Sequence, residues 1–137
     1  MKDVFKILLA DDEEDLVFLI KTRLESQGFE VITAYDGIET LQKARSECPD
    51  LIILDVMMPA GDGFKICQKL KIDQETSSIP VIFLTAKTLD KDERKGLGVG
   101  AEYYVKKPFE AGELIAVINK VLKDPKRLER EVRETKI

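Results

Sequence analysis

The chain alternates short, unbroken apolar runs with longer stretches in which apolar residues recur every three or four positions. "VFKILLA" (4–10) is a run of the first kind and stops at a pair of acids. Leu16, Leu19, Ile20 and Leu24 then follow at helical spacing, which predicts a helix over 13–27 with those four residues inward and Gly28 as its stop. "FEVITA" (29–34) predicts a second strand. Asp36 is a ready cap for a helix carrying Ile38, Leu41 and Ala44, and Pro49 closes that unit. "DLIILD" (50–55) predicts a third strand, and 62–71 a helix with Phe64, Cys67 and Leu70 inward. A fourth strand falls at 80–85. A helix over 89–99 is weakened by Gly96 and Gly98, each costing roughly 1 kcal/mol of propensity. "AEYYVKK" (101–107) and a strongly amphipathic helix over 110–123 complete the pattern.

Five β-then-α units result. Strands as apolar as "LIILD" and "VIFL" fit a parallel sheet covered on both faces. With right-handed crossovers this predicts one doubly wound α/β domain over 1–123. Residues 124–137, "DPKRLEREVRETKI", are mostly charged and predict a tail or linker, in which Leu128 and Val132 could begin a helix.

Composition narrows the function. Of 137 residues, 44% are apolar and 35% charged, with a net charge of −4, so neither a disordered chain nor a nucleic-acid binder driven by overall charge is expected. No apolar run approaches the roughly 18 residues of a membrane span. "MKDVFKILLADDEE" has too short an apolar core for an export signal, which predicts a cytoplasmic protein without membrane contact. Cys48 and Cys67 are then expected to be free thiols packed as small apolar groups. There is no histidine, so any metal must be held by oxygen.

In an open parallel sheet, ligands sit beyond the carboxyl ends of the strands. There the first strand ends at Asp11 and Asp12, the third at Asp55, the fourth at Thr85 and the fifth at Lys106, Lys107 and Pro108. Taken singly, each is an ordinary cap, surface charge or strand residue, and Lys106 reads as a surface charge. Together they are the parts of a phosphoryl-transfer site. Three mutually repelling carboxylates suit Mg²⁺, a lysine suits a phosphoryl oxygen, and a threonine supplies a hydroxyl. Asp55, at the end of the most apolar run, is the candidate nucleophile.

On "LLADDEEDL", "LIILDVMMPAGDGF", "PVIFLTA" and "GAEYYVKKPF", in that order and at matching spacing across 4–123, the chain resembles the receiver domain of two-component response regulators. The resemblance implies a flavodoxin-like sheet of five parallel strands in the order 2-1-3-4-5. It implies Asp55 as phosphoacceptor. Mg²⁺, with Mn²⁺ as a substitute, would be held by Asp12, Asp55 and the backbone carbonyl of Met57, and by Asp11 through water. Lys107 would pair with Asp55 and then with the phosphoryl group. Thr85 would be the switch hydroxyl, and Tyr104 the switch aromatic, turning inward to fill the space Thr85 vacates. Tyr103 would face the other side. Met57 and Lys87 would tune phosphoryl lifetime, and Lys107–Pro108 would be cis. Pro59 and Asp62–Gly63 match the turn into the third helix.

The implied partners are a sensor histidine kinase or phosphotransfer protein as donor. On the output side they are a protein, an attached domain or a second copy, engaged through the fourth helix, fifth strand and fifth helix. No direct nucleic-acid contact is implied for this chain. Its chemistry would be limited to its own phosphorylation and dephosphorylation, so it would not be an enzyme. The alternative, a Mg²⁺-dependent aspartyl-phosphate phosphatase of the haloacid dehalogenase type, needs an acid two residues after its nucleophile, where Met57 stands. An FMN binder of the same architecture needs a first loop that cradles phosphate, and "ADDEED" repels it.

Overall fold

Each apolar run becomes a strand, and each stretch of helical spacing a helix. The structure, a computed structural model, describes residues 4–86 and 90–123. The elements are β1 (Lys6–Ala10), α1 (Glu14–Ser26), β2 (Glu30–Ala34), α2 (Gly37–Glu47), β3 (Leu51–Leu54), β4 (Met57–Met58), β5 (Gly61–Asp62), α3 (Gly63–Ile72), β6 (Val81–Thr85), α4 (Asp90–Gly98), β7 (Tyr103–Lys106) and α5 (Ala111–Leu122). β2-β1-β3-β6-β7 form the main sheet, and every pair in it is parallel. Counting only its strands, this is the expected 2-1-3-4-5 order. The β4–β5 hairpin is antiparallel and separate from the sheet, with Ala60 in the left-handed region at its turn (φ 56°). Two-residue strands carry no periodicity, so the sequence showed only a turn there.

Alternation along the strands sends side chains to two cores. Leu8, Ile52, Leu54 and Phe83 pack with Phe64, Cys67 and Leu70 of α3. Ile7, Leu9, Ile53, Ile82 and Leu84 pack with Val17, Ile20 and Leu24 of α1 and Leu114 and Ile118 of α5. Each such large side chain contributes roughly 1.5–3 kcal/mol by leaving water. Because both faces are covered, the central strands β3 and β6 are apolar up to their ends, and polar chemistry gathers beyond them.

Two helices bury only part of the apolar set that marked them. In α1 the buried residues are Val17, Ile20 and Leu24, whereas Leu19 is exposed along with Phe18. The helix carries two overlapping apolar stripes, and only packing against the sheet decides between them. In α2, Ile38 is exposed while Thr40 and Ala44 are buried, the Thr40 hydroxyl donating to the Asp36 carbonyl at 2.7 Å. Asp36 does cap α2, accepting from the Glu39 amide at 2.7 Å. Both cysteines are free. Cys67 is buried as expected, but Cys48 is exposed, because it ends α2 in a left-handed conformation (φ 48°). Lys107–Pro108 is cis. No described helix is long and apolar enough to cross a membrane. Lys87 and the 124–137 segment with Leu128 and Val132 lie outside the described residues.

Candidate functional site

Backbone hydrogen bonding runs one residue past the main-sheet strands and gathers the polar ends. The Asp11 amide donates to the Ala34 carbonyl at 3.1 Å, the Asp55 amide to Ala10 at 3.0 Å, and the Lys107 amide to Thr85 at 2.9 Å. Residues far apart in sequence are thereby fixed in register at one edge. The Lys107 ammonium then reaches Asp11 Oδ2 at 2.8 Å, Glu13 Oε1 at 3.1 Å and Asp55 Oδ2 at 3.4 Å. The remaining oxygens of the two buried acids take amides from the turns that follow: Asp11 Oδ1 accepts from Glu13 N–H at 3.0 Å, and Asp55 Oδ1 from Met57 N–H at 3.2 Å.

Asp11 and Asp55 are buried and Asp12 is exposed, yet one carboxylate oxygen from each lies within 4.8 Å of the other two. Three hard oxygen donors this close, open to solvent on the Asp12 side, fit a divalent cation that keeps several waters. The electrostatics agree. Burial, the largest influence, pushes the Asp11 carboxyl above its ordinary value, and the Asp55 charge pushes the same way. The Lys107 hydrogen bond and the Glu13 amide oppose them without prevailing. For Lys107, burial is again the largest single influence and lowers the ammonium. The hydrogen bond to Asp11 and the charges of Asp11 and Asp55 outweigh it, and the net shift is upward. The lysine is thus firmly cationic, amid carboxylates that call for more positive charge than it supplies.

Two close approaches hold the loop after Asp55. The Gly63 amide donates to the Val56 carbonyl at 2.8 Å, and a Cβ on Gly63 would stand 2.4 Å from the Asp55 carbonyl oxygen. The Gly37 amide donates to the Pro59 carbonyl at 3.0 Å, and a Cβ there would stand 2.4 Å from the Ala60 oxygen. Glycine is therefore needed at both positions. Asp62 caps α3 through the Phe64 amide at 2.8 Å. Met57 projects from the hairpin and is exposed. It helps line an open cleft of about 590 Å³ that also includes Asp12, Pro59, Asp62, Asp92 and Lys95. A second, more apolar groove of about 410 Å³ runs between α1 and α5, lined by Leu16, Leu19, Leu114 and Ile115. Glu13 and Lys107 line it too, so it adjoins the acid cluster.

Thr85 is buried at the end of β6, level with Lys106 of β7. By alternation it shares the sheet face of Phe83 and Tyr104. The Tyr104 ring is only 9% exposed and lies 5.9 Å from the Phe83 ring, which in turn lies 5.3 Å from Phe64. The inward turn expected of Tyr104 therefore has no outward starting point here: the ring is already inside. Gly96 permits this, since a Cβ on it would come within 2.8 Å of the Tyr104 ring. Burial, with the charges of Asp92, Glu93 and Asp55 behind it, pushes the Tyr104 phenol up to about 12. Tyr103 packs with the α1–α5 core on the opposite face, and Lys106 pairs with Glu93 at 3.4 Å.

Sequence reasoning missed Glu13. The only signal for it was its place in the acidic run "DDEED", which does not show that one member turns toward a lysine 94 residues away. It also missed the packing roles of Gly37 and Gly96, the latter having been read only as a weak point in a helix.

The response regulator receiver domain family matches residues 7–119. Over 118 residues the chain is 46% identical to the alkaline phosphatase synthesis transcriptional regulatory protein PhoP of Bacillus subtilis, covering 86% of this chain and 48% of that protein. It is 37% identical over 132 residues to the DNA-binding dual master transcriptional regulator RpaA of Synechocystis, covering 96% of this chain and 55% of the relative. The chain thus spans about half the length of these curated relatives. Among solved structures it superposes on the chemotaxis response regulator CheY4 of Vibrio cholerae with a TM-score of 0.81 at 32% identity, covering 86% of this chain and 98% of that one. The receiver domain of a sensor histidine kinase from Pseudomonas aeruginosa, solved with magnesium coordinated in its active-site cleft, aligns at TM-score 0.81 and 28% identity, over 88% and 98% of the two chains. By fold, by sequence and by the groups gathered at one sheet edge, the chain belongs to the response regulator receiver domain family.

Proposed function

We propose that the chain accepts a phosphoryl group on Asp55 from a phosphohistidine of a sensor kinase or phosphotransfer protein, with Mg²⁺ held by Asp12, Asp55, the Met57 carbonyl and, through water, Asp11. The observation that carries this reading is the meeting of three carboxylates within 4.8 Å beside one lysine. Mg²⁺, when bound, supplies the positive charge that lets a carboxylate approach an anionic phosphoryl group. The Met57 amide and Lys107 orient the Asp55 carboxylate. One of its oxygens forms the new bond to phosphorus as the bond to the donor nitrogen breaks, and Lys107 then serves the phosphoryl oxygens.

Incubating wild type and Asp55→Asn with acetyl phosphate and Mg²⁺ and reading intact mass tests the assignment. A phosphoryl increment on wild type alone is expected, and equal labelling of both proteins sinks it. The same measurement followed in time reads phosphoryl lifetime. Met57 is apolar and cannot position an attacking water, and Lys87 is long enough to cover the group. Wild type is therefore expected to decay more slowly than Met57→Asn/Lys87→Glu.

The output face in this proposal is α4, β7 and α5. Thr85 sits between the acceptor edge and the buried Tyr104, against which α4 packs through Gly96. With Tyr104 already inside, drawing the Thr85 hydroxyl toward a phosphoryl group would act on packing that is in place, and α4 would shift over it. The curated relatives are named as transcriptional regulators. The chain carries a net charge of −4, so we assign any DNA contact to an output partner or attached domain.

A further inference from the structure

The Lys107 ammonium has three protons, and three carboxylates take them. The bond to the proposed acceptor Asp55, at 3.4 Å, is the longest, while Asp11 at 2.8 Å and Glu13 at 3.1 Å hold the charge more closely. Asp11 is fixed by burial and by its bond to the Glu13 amide. Glu13 is different. It occupies the N-cap position of α1, where a side chain ordinarily turns back onto the helix amides, yet it makes no such bond. Its side chain reaches across to Lys107 and remains 62% exposed, against 2% for Asp11 and 7% for Asp55. It is the partner that can let go at least cost, because water replaces what it loses.

We propose that Glu13 is a positioning residue that holds the Lys107 ammonium back from the acceptor, so that a phosphoryl group on Asp55 must win the lysine from it. The site then carries a built-in brake: the phosphorylated state is stabilised by Lys107 less what Glu13 withholds. This rests on the reading of Asp55 as acceptor and concerns a contact that reading does not use. It predicts that the length of the Glu13 side chain matters as well as its charge. Aspartate keeps the charge, but it is one methylene shorter and loses the contact.

The test is titration with beryllofluoride, a phosphoryl mimic, in Mg²⁺, read by backbone amide shifts in the intact chain. The proteins are wild type, Glu13→Gln, Glu13→Asp and Glu14→Gln. The last removes the same charge one residue along. Glu13→Gln and Glu13→Asp are expected to bind the mimic about two- to fivefold more tightly than wild type, the range that one exposed ion pair provides. Glu14→Gln is expected to match wild type. Glu13→Asp matching wild type, Glu14→Gln matching Glu13→Gln, or no tightening in Glu13→Gln each overturns the proposal while leaving the acceptor reading intact. A wild-type chain that binds no beryllofluoride overturns both.

Discussion

Asp50 and Asp55 flank the two ends of β3, and both are only 6% exposed. Their surroundings differ. Asp50 Oδ2 accepts from the Lys6 amide at 2.8 Å, and its own amide donates to the Lys6 carbonyl at 2.7 Å, closing the gap between β1 and β3. At the same end of the sheet, Glu102 accepts from the Val81 amide at 2.7 Å and pairs with Lys71 at 3.5 Å, and Lys71 donates to the Ile79 carbonyl at 2.8 Å. Asp55 has a Met57 amide at 3.2 Å and a Lys107 ammonium at 3.4 Å, and it shares that lysine with two other acids. The cause is the polarity of parallel strands. Their amino ends leave N–H donors that a carboxylate can take, and their carboxyl ends leave carbonyls that cannot serve one. Burial alone therefore does not tell the two carboxylates apart. A lysine shared among three acids does.

That contrast can be broken most forcefully at the lysines. Lys107→Met should destabilise the metal-free chain by about 3 kcal/mol, because it leaves buried Asp11 facing Asp55 with no cation between them, and Mg²⁺ should recover much of the loss. Lys71→Met should cost less, since Glu102 keeps the Val81 amide, and Mg²⁺ should not change it. Urea titrations with Mg²⁺ and with EDTA decide this, and equal costs with equal Mg²⁺ responses would erase the distinction. Next, Asp50→Ala should cost about 1–3 kcal/mol for the Lys6 amide left without its carboxylate, while Mg²⁺-dependent phosphorylation of Asp55 still goes to the wild-type extent.

The smallest effect concerns Cys67, beside Lys71 and Glu102. Burial, the dominant influence, pushes its thiol up from 9.0 to about 11, with Lys71 opposing and Glu102 assisting. A raised folded-state value means that the fold holds the proton longer than the unfolded chain. The associated stability is complete below pH 9 and is lost as pH rises toward 11. Melts across that range should fall more steeply for wild type than for Cys67→Ala. At pH 8 a thiol reagent should label only the exposed Cys48 until the chain is unfolded.

The fold was legible because its strands are uninterrupted apolar runs, and its helices carry apolar residues at a different period. Asp11, Asp12, Asp55, Thr85 and Lys107 could be placed together because a parallel sheet brings every strand's carboxyl end to one edge. What periodicity could not supply was choice among near-equal alternatives. Phe18, Leu19 and Ile38 are as apolar as the buried Val17 and Ile20, and only packing against the sheet selects the inward set. Contacts set by small residues were hidden for another reason. A glycine in a sequence reports freedom, whereas Gly37, Gly63 and Gly96 report crowding. The direction of the Glu13 side chain is likewise a tertiary fact, made by a lysine 94 residues later at the same edge of the sheet.

The bond from the Lys107 amide to the Thr85 carbonyl has a consequence for the order in which the protein comes into being. The ammonium that steadies the acid cluster arrives one residue past β7, 96 residues after Asp11. A nascent chain that has reached residue 106 already carries Asp11, Asp12 and Asp55, but it has no lysine to set among them. Until β7 docks on β6, the cluster is an assembly of like charges that holds itself open. Charge balance among the three carboxylates is thus acquired only when β7 is in place, and a chain stalled short of that strand carries the acids without their lysine.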